Sequence, residues 1–418
     1  MAIFKKTDIL FPQVEDLSKW SVIACDQFTS QPEYWEAVKE YAGDAPSTLN
    51  MIFPEAWLGQ DEASRIAFIN ETMKKYESQN IFKTYQDAFI YVERTLVDGT
   101  IRKGIVGAID LDAYDYSDGA KSDVRATEKT VVERIPPRKR IRQHATLELP
   151  HVILLADDAE KILVESVEAV KDTLPVIYDL DLMQGGGHLT GWLVDGEESL
   201  RFEEQLEKYY VYIDELSAHY NEVPMYFAMG DGNHSLATAK ACYEDIKAAY
   251  IAEGREDELA DHPARYALVE IENLHDDAQQ FEAIHRVVKL SDVNALADDL
   301  KQSIGVASGG YEIVIHTKDG SETVMLDPAK GQLSVGILQD YLDTYLAEHG
   351  GQIDYIHGAD TLKNLCKKEG VIGFELPSIE KESFFVSIVL DGVLPRKTFS
   401  MGHACEKRYY MEARKIQK

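Results

Sequence analysis

The sequence predicts an α+β fold of mixed sheets with flanking helices, organised as a larger core followed by a smaller C-terminal α/β domain. The chain has 418 residues, a length that suits two or three domains better than one. Hydrophobic residues make up 45% of the chain and charged residues 28%, as is typical of a globular protein with a large core. The character of the sequence changes near Ser291. We therefore expect one domain at residues 1–290 and a second at 291–418, whose tail returns to the functional site.

In the first domain, segments with helical spacing alternate with short apolar segments bounded by turn residues. The predicted elements are helices at 32–41 and 62–76, strands at 88–93 and 104–111, a buried strand at 151–155, a helix at 157–174, strands at 176–182 and 189–194, and a helix at 199–220. The glycine run at 185–187 lies between two of these strands. It is either a hairpin turn or a loop that covers a ligand.

The second domain continues the mixture of helices and strands. The predicted elements are a helix at 293–304, strands at 311–316 and 322–326, helices at 336–349 and 360–368, and a strand at 384–390. The last of these is an apolar run whose length suits a buried strand.

The segment at 223–243 combines a strand, a glycine turn and a helix. Residues 225–229 form a short apolar run, and Gly230, Asp231 and Gly232 then turn the chain. Apolar residues recur at helical spacing after this turn, and Asn233 or Ser235 is expected to cap the helix. Free amides and the positive end of the helix dipole together favour an anion.

Two side chains at this turn are candidates for binding a ligand or for catalysis. Asp231 suits a metal ion or a hydroxyl group, and His234 suits a phosphate oxygen or proton transfer. The alternative is an ordinary strand-to-helix connection, since short glycine motifs are often only structural.

Three other segments carry candidate residues, each with a structural alternative. Asp26 lies in a polar turn before Pro32, a pattern that also suits simple helix capping. Residues 134–142 form a basic cluster around Arg138, which suits an anionic small molecule or a solvated loop paired with acids. The adjacent His285 and Arg286 could reach an anion or hold a domain edge.

Charge and composition exclude several classes of function. The formal net charge is −30, which argues against broad nucleic-acid binding and against docking on an anionic membrane. The N-terminal residues lack the apolar region of a signal peptide, and no run of 18 apolar residues occurs. Four widely spaced cysteines suit free thiols in a reducing compartment. We expect a cytoplasmic protein with a small-molecule substrate, compatible with a homo-oligomer.

Five segments, in order along nearly the whole chain, resemble domain-of-unknown-function family 1015. Its central signature is usually Asp-Gly-His-His-Arg, and residues 231–235 occupy that place here as Asp-Gly-Asn-His-Ser. Residues 127–130 resemble the His-Glu-x-Thr segment of the family, and 284–286 resemble its Pro-Thr-His-Arg segment. Residues 354–358 and 394–398 resemble two C-terminal segments.

The central signature is also similar to that of the ParB/sulfiredoxin-like superfamily, which includes a kinase for free serine. The resemblance implies a ParB/sulfiredoxin-like core in which this turn holds nucleotide phosphates. Asn233 stands here for a histidine, and Ser235 for the arginine that would contact a phosphate. The lost charge could come from one of four other residues, namely Arg286, Arg138, Arg140 or Lys397.

We expect from this resemblance a small-molecule phosphotransferase acting on the hydroxyl of a serine-like metabolite, in either direction. ATP, ADP or pyrophosphate would be the donor, with Mg²⁺ on Asp231 or Glu128. Asp26 or Glu128 would accept the proton from the hydroxyl, and His234 would serve in catalysis. The phosphate-binding set would comprise Gly230, Asp231, Gly232, Asn233, Ser235, His285, Arg286, Arg138 and Lys397.

Two other functions compete with this expectation. Loss of the arginine at position 235 favours a nucleotide-binding regulatory protein without turnover. A ParB-like protein that handles nucleic acid is less favoured, because the chain is acidic and shows no recognisable helix-turn-helix.

Overall fold

The structure, a computed structural model, describes residues 2–25, 27–29, 31–117, 119–149, 151–395, 397–401, 404–407 and 409–418, with the backbone alone at 357, 400, 401 and 404. Asp26, one of the predicted catalytic residues, lies outside the described residues.

The strands are β1 (Phe4–Lys5), β2 (Thr7–Pro12), β3 (Phe82–Thr95), β4 (Ile101–Asp110), β5 (Tyr114–Asp115), β6 (Val124–Arg125), β7 (Leu147–Glu148), β8 (Ile153–Ala156), β9 (Val176–Asp181), β10 (His188–Val194), β11 (Phe227–Asp231), β12 (Tyr266–Asn273), β13 (Phe281–Lys289), β14 (Gly305–Val306), β15 (Tyr311–Thr317), β16 (Gly320–Leu326), β17 (Gln352–His357), β18 (Val371–Glu375), β19 (Phe399–Met401) and β20 (Arg414–Lys415). The α-helices are α1 (Pro32–Ala42), α2 (Glu62–Ser78), α3 (Ile135–Arg142), α4 (Val164–Glu168), α5 (Gly196–Tyr220), α6 (Asn233–Ala252), α7 (Val293–Ile304), α8 (Ser334–His349), α9 (Ala359–Cys366) and α10 (Lys381–Asp391).

The chain divides into two compact units. Unit 1 comprises Met1–Ala126, Thr130–Gln279 and His403–Lys418, and unit 2 comprises Thr127–Lys129 and Gln280–Gly402. Each unit therefore contains a short segment that is distant in sequence from the rest of it.

Unit 1 is built on one mixed sheet with helices on both faces. The strand order is β5-β6-β11-β8-β12-β4-β3-β10-β9, with β1 paired to β4 and β2 to β3. Side chains alternate between the faces, so Leu268 on β12 joins one core whereas Ala267 and Val269 join the other. The first core contains residues of α1 and α2, and the second contains residues of α5 and α6. β11 lies inside the sheet, parallel to β6 and antiparallel to β8.

The C-terminal residues of the chain are part of the first core of unit 1. The indole Nε1 of Trp20 donates to the carbonyl of Met411 at 3.1 Å. Leu10 and Ala413 exchange backbone hydrogen bonds of 2.8 and 2.9 Å. Met411 and Ala413 are both fully buried. This segment is therefore integrated into the core rather than lying on the surface.

Unit 2 is built on a second sheet, ordered β14-β16-β15-β18-β13-β17, with β19 paired to β13. α7 and α8 contribute apolar side chains to its main core, and α9 to a smaller one. On α10, the ring of Phe384 packs against Phe281 and Phe399.

The prediction of a strand at residues 384–390 is wrong, because this segment lies within the helix α10. Phe384, Phe385 and Ile388 are buried, whereas Leu390 is 41% exposed, so burial follows the helical repeat. The hydroxyl of Ser387 donates to the carbonyl of Ser383, one helical turn earlier, at 2.6 Å. A short apolar run cannot distinguish a strand from a buried helix face.

The prediction of a helix at 157–174 is also largely wrong, since only the short α4 and a 3-10 helix at Lys171–Thr173 form within it. The buried carboxylate of Asp158 accepts the amides of Ile162 and Leu163 at 2.9 and 2.8 Å. Lys161 has a φ of +57°. This local turn replaces the helical hydrogen bonds that the segment would otherwise make.

The predicted α+β class with mixed sheets and flanking helices is confirmed. Within the described part of the chain, no helix combines the length and the apolar character that a membrane span requires.

Candidate functional site

The turn between β11 and α6 has the backbone that its glycines predict. Gly232 has a φ of +85°, and a Cβ there would lie 3.1 Å from the carbonyl oxygen of His151 and from the Cα of Val152. Gly230 is also tightly packed, since a Cβ would lie 3.1 Å from Cγ of Leu155. A larger residue at 232 would therefore meet both backbone strain and crowding.

The first turn of α6 is not capped by a side chain. The helix begins at Asn233 with Gly232 as its N-cap, so the prediction that Asn233 or Ser235 caps it is wrong. The reason is that glycine, which has no side chain, occupies the cap position itself. The amides of Ser235 and Leu236 bond to the carbonyl of Gly232 at 2.9 and 3.0 Å.

A buried polar atom lies at the start of α6. Oδ1 of Asn233 is buried and has no hydrogen-bond partner among the described residues. Buried polar atoms are rarely left without a partner, and those that are often mark a missing water, ion or ligand. Asn233 and the uncapped helix start therefore fit a ligand that brings hydrogen-bond donors and negative charge.

Asp231 is held by two partners within unit 1. Its Oδ1 accepts the amide of Gly232 at 2.9 Å. Its Oδ2 lies 3.2 Å from Nζ of Lys407, with side-chain exposures of 20% for Asp231 and 15% for Lys407. The cation that contacts the turn is therefore Lys407, which none of the sequence motifs predicts.

Two buried arginines fix the segment that carries Lys407. Arg94 donates to the carbonyls of Cys405 and Glu406 at 2.6 and 2.7 Å, and also to the carbonyl of Lys407. Arg102 donates to the carbonyl of Glu406 at 2.8 Å. Arg94 and Arg102 lie directly opposite each other on β3 and β4. In the sequence these arginines lie next to the predicted strands at 88–93 and 104–111, and no local pattern identifies the distant carbonyls that they bind.

Arg94 also explains the glycine run at 185–187. Its Nε and Nη2 donate to the carbonyl of Gly186 at 3.1 and 2.9 Å. The hydroxyl of Tyr409 donates to the carbonyl of Met183 at 2.7 Å. Of the two interpretations of this run, the structure favours the hairpin turn between β9 and β10, which Arg94 and Tyr409 hold by hydrogen bonds.

His234 is oriented by the segment that follows the Thr-Glu-Lys-Thr motif. Its Nε2 accepts the amide of Val131 at 3.3 Å, and its carbonyl accepts the hydroxyl of Thr238 at 2.6 Å. With Nε2 accepting, a neutral imidazole carries its proton on Nδ1. The neighbouring Thr130 is also buried, and its hydroxyl has no partner among the described residues.

Cys25, which precedes Asp26 in the chain, is connected to the turn through Tyr410 and His151. The amide of Cys25 donates to the hydroxyl of Tyr410 at 3.3 Å. The ring of Tyr410 lies 5.2 Å from that of His151, whose carbonyl lies beside Gly232. The described neighbours of Asp26 are thus linked through Tyr410 to the turn.

Residues 135–142 of the basic segment form the helix α3 rather than a loop, and the cations of this helix face acids of unit 1. The ion pairs join Arg138 to Glu55, Lys139 to Asp245, Arg140 to Glu62 and Arg142 to Glu148. This arrangement agrees with the alternative that these charges pair with nearby acids. Phosphate binding by Arg138 stays a prediction, and Arg138 would have to exchange Glu55 for the ligand.

In unit 2, Glu128 lies against the predicted phosphate-binding residue Lys397. The Glu128 carboxylate accepts the backbone amides of Lys397 and Thr398. Lys397 has a φ of +58°, and the amide of Leu394 bonds to the carbonyl of Thr127 at 2.7 Å. Burial raises the pKa of Glu128, although Lys397 and these amides oppose the shift. A carboxylate with a raised pKa, held at a fixed position, has the properties of a general base.

Arg286 and His285 are buried in the same unit. The guanidinium of Arg286 donates to Gln339 at 3.1 Å and to the carbonyls of Ile284 and Lys397 at 2.5 and 2.9 Å. Burial lowers the pKa of Arg286 to about 10 and also lowers the pKa of His285. Nδ1 of His285 accepts the amide of Leu376 at 3.2 Å. Direct phosphate contact by this pair stays a prediction, and their observed bonds support the fold of unit 2.

The predicted magnesium ligands belong to different units, Asp231 to unit 1 and Glu128 to unit 2. No group of three or more His, Cys, Asp or Glu side chains is placed to hold a metal ion among the described residues. Asp231 offers one carboxylate, already shared between Gly232 and Lys407. Mg²⁺ usually takes one or two carboxylates together with substrate phosphates. Asp231 therefore does not fit a resident magnesium site, and an ion would be held largely by the phosphates.

The family of the chain is established by a match to the family model described as "Protein of unknown function (DUF1015)", over residues 7–345. Because this match spans most of the chain, the protein belongs to that family, as its motifs predict. Lys407 lies beyond the matched residues.

Solved structures with a distant likeness include three proteins. SbnI with a C-terminal truncation, from Staphylococcus aureus, has a TM-score of 0.36 at 8% identity, over 73% of this chain and 85% of that one. Free serine kinase in complex with AMP has a TM-score of 0.36 at 12% identity, over 74% and 90%. A conserved hypothetical protein from Pyrococcus furiosus has a TM-score of 0.34 at 11% identity, over 74% and 94%. Among curated proteins, none matches the chain. At these TM-scores, the likenesses carry no argument about function.

Proposed function

We propose that this protein is a small-molecule phosphotransferase whose phosphate-binding site is the turn from Gly230 to Ser235. The observation that carries the proposal is the uncapped start of α6 beside the buried, unpartnered Oδ1 of Asn233. A helix N-terminus favours phosphate through its amides and its dipole, and Gly232 leaves the approach free of a side chain. An adjacent buried acceptor suits a hydroxyl of the same ligand.

The side chains around the turn have separate roles in this proposal. His234, whose neutral form carries a proton on Nδ1, donates to a phosphate oxygen. Asp231 and Ser235 orient the ligand beside the helix start. A carboxylate, for which the sequence predicts Asp26 or Glu128, accepts the proton of the attacking hydroxyl.

The substrate proposed is a serine-like metabolite with a free hydroxyl, a class that comes from the similarity of the central signature to that of free serine kinase. ATP, ADP or pyrophosphate would supply the phosphoryl group, and Mg²⁺ bound to those phosphates would neutralise their charge. The same residues would serve the reverse transfer or the transfer to water.

A nucleotide-binding regulatory protein is the second candidate. Ser235 in place of the arginine of the family signature favours it, because a lost phosphate contact reduces transition-state stabilisation more than it alters the fold. The two candidates share a binding site and differ in turnover.

The test measures binding and turnover separately. Thermal unfolding is followed with ATP, ADP, pyrophosphate, serine and phosphoserine, each with and without Mg²⁺. A ligand at about one hundred times its Kd stabilises the folded state by about 2.7 kcal/mol, a readily measured shift. Ligands that bind are then assayed for phosphoryl transfer.

Glu128→Gln tests the proposed base. We expect phosphate binding within about twofold of the wild type and turnover reduced by about 10²-fold or more. Glu133→Gln, an exposed change five residues along the chain, is the matched control and should alter neither. Binding without turnover in the wild type would favour the regulatory protein, and no binding of any phosphate compound would overturn both candidates.

A further inference from the structure

We propose that Lys407 is the cation of the phosphate site and supplies, from the C-terminal end of the chain, the charge that the family signature places at position 235. This inference rests on the proposed function. It assigns a binding residue for a phosphoanhydride or phosphate ligand, outside the residues that match the family model.

The position of Lys407 is the first observation. Its Nζ lies 3.2 Å from Oδ2 of Asp231, and Asp231 is adjacent to the N-cap Gly232. An ammonium group has three N–H donors and can therefore contact a phosphate while it forms an ion pair with Asp231. The ammonium group thus lies beside the residue that precedes the N-cap of α6, near where a bound phosphate would present its oxygens.

The second observation is how firmly the segment of Lys407 is held. Arg94 and Arg102 are only 5% and 7% exposed, and they donate to three successive carbonyls at 405–407. Guanidinium groups are seldom buried so deeply unless acceptors surround them. The backbone of Lys407 is thus fixed, so its side chain starts from a defined point beside the turn.

The third observation is the charge balance of the turn. A phosphate at the start of α6 would lie beside the Asp231 carboxylate, which repels it. The positive charge of Lys407 offsets the negative charge of that carboxylate. Of the cations predicted to supply charge, the two in unit 1 are paired elsewhere, Arg138 with Glu55 and Arg140 with Glu62.

Calorimetric titration with pyrophosphate, ATP, ADP and inorganic phosphate at fixed ionic strength tests the inference. For Lys407→Met, we expect affinity for the phosphate ligands to fall about ten- to one-hundredfold, as when a charge-assisted hydrogen bond is lost. Lys407→Arg should retain affinity within about tenfold. Lys415→Met, an exposed lysine of the same C-terminal segment, is the matched control and should bind like the wild type.

The double variant Asp231→Asn, Lys407→Met separates ligand binding from a merely structural ion pair. If Lys407 offsets the repulsion from Asp231, removing both charges should restore part of the affinity that Lys407→Met loses. If the pair is only structural, affinity should follow the fraction of folded protein, which is measured by urea unfolding of each variant.

The outcomes distinguish the inference from the proposed function. Wild-type protein that binds none of the four ligands would overturn both. Wild-type binding with unchanged affinity in Lys407→Met would overturn the role of Lys407 alone. Should Lys407→Met fail to fold, Lys407→Gln and Lys407→Arg provide the same comparison, and equal affinity in these two variants would contradict the role.

Discussion

Gly232 adopts a φ of +85° at the N-cap of α6, where the chain passes within contact distance of His151 and Val152. An L-residue with a side chain in this region of φ is strained by roughly 1–2 kcal/mol. Here the strain adds to crowding, because the would-be Cβ lies 3.1 Å from two backbone atoms. The same geometry leaves the helix start without a side-chain cap, so one residue shapes both the turn and its accessibility.

Gly232→Ala should therefore cost more stability than an alanine at an uncrowded glycine. We expect a loss of about 2–3 kcal/mol in the free energy of unfolding, from strain and crowding together. Gly254→Ala is the matched control, since Gly254 has a φ of +73° with no atom within 4 Å of the would-be Cβ. It should lose about 1 kcal/mol. Urea unfolding measures both, and equal losses would contradict the crowding.

The residues of the turn show that a sequence predicts contacts between neighbours in the chain better than contacts between distant residues. Gly230, Asp231 and His234 are neighbours in the chain, so a local pattern was enough to predict a strand, a turn and a helix start together. Lys407 reaches Asp231 from a distant part of the chain through tertiary contacts. No local pattern predicts such a pairing, and the lysine itself is one of many in the sequence.

Among the elements, β20 depends most clearly on a single buried carboxylate. Glu148 on β7 accepts Nε of Arg414 at 2.7 Å and Nη2 of Arg142 at 2.5 Å. It also accepts the amide of Leu268 on β12 at 2.9 Å. Glu148 thus joins the C-terminal strand, the basic helix α3 and the central sheet of unit 1.

This network predicts a specific dependence of stability on pH. Burial alone would raise the pKa of Glu148, but Arg414 and Arg142, with the amide of Leu268, lower it below its ordinary value. A lowered pKa in the folded state means that the ion pairs stabilise the fold above the unfolded pKa of about 4.3. That stabilisation is lost as the pH falls through the folded pKa.

Glu148→Gln should lower the free energy of unfolding by about 3 kcal/mol at pH 7, because Arg414 is then buried without its anion. The difference from the wild type should shrink as the pH falls below the unfolded pKa of about 4.3 and then through the lowered folded pKa, where the wild-type carboxyl also becomes neutral. Thermal unfolding from pH 7 to pH 3 measures this convergence. Glu197→Gln, at a carboxylate that is 89% exposed, should match the wild type throughout. A difference that does not vary with pH would contradict the assignment to Glu148.

Elements differ in how far the sequence predicts them. The helix predicted at 293–304 forms with the predicted bounds, and its buried residues Leu296, Leu300 and Ile304 follow the helical repeat. α10 was predicted as a strand, because its apolar run is short and the burial that distinguishes helix from strand is set by unit 2 as a whole. The capping of α6 depended on a backbone angle at Gly232 that residue types alone do not determine.

At the scale of the whole molecule, linear sequence indicates contiguous domains, but the compact units are not contiguous. Residues 127–129 belong to unit 2 although both of their neighbouring segments belong to unit 1. Residues 403–418 return to unit 1 after the long passage through unit 2. Contacts between segments that are distant in the sequence decide to which unit residues 127–129 and 403–418 belong. As a result, the family motif that contains Glu128 belongs to a different unit from the central turn.

The charge of the whole chain bears on the remaining alternative, a protein that handles nucleic acid. The chain has 43 Lys and Arg against 73 Asp and Glu. Its densest basic segment is α3, where Lys139, Arg140 and Arg142 each face an acid of unit 1. Nucleic acid binding draws most of its affinity from cations that contact phosphates and release counterions. A net charge of −30 opposes the approach of such a polyanion.

Fluorescence anisotropy with labelled duplex and single-stranded DNA should therefore show no saturable binding, even at about 50 mM salt, where electrostatic attraction is least screened. Glu55→Gln and Glu62→Gln, which release Arg138 and Arg140 from their ion pairs, should not create binding, because the surrounding charge remains acidic. A saturable change that weakens steeply with salt would instead support a nucleic-acid-handling role, and its loss in Arg140→Ala would locate the contact on α3.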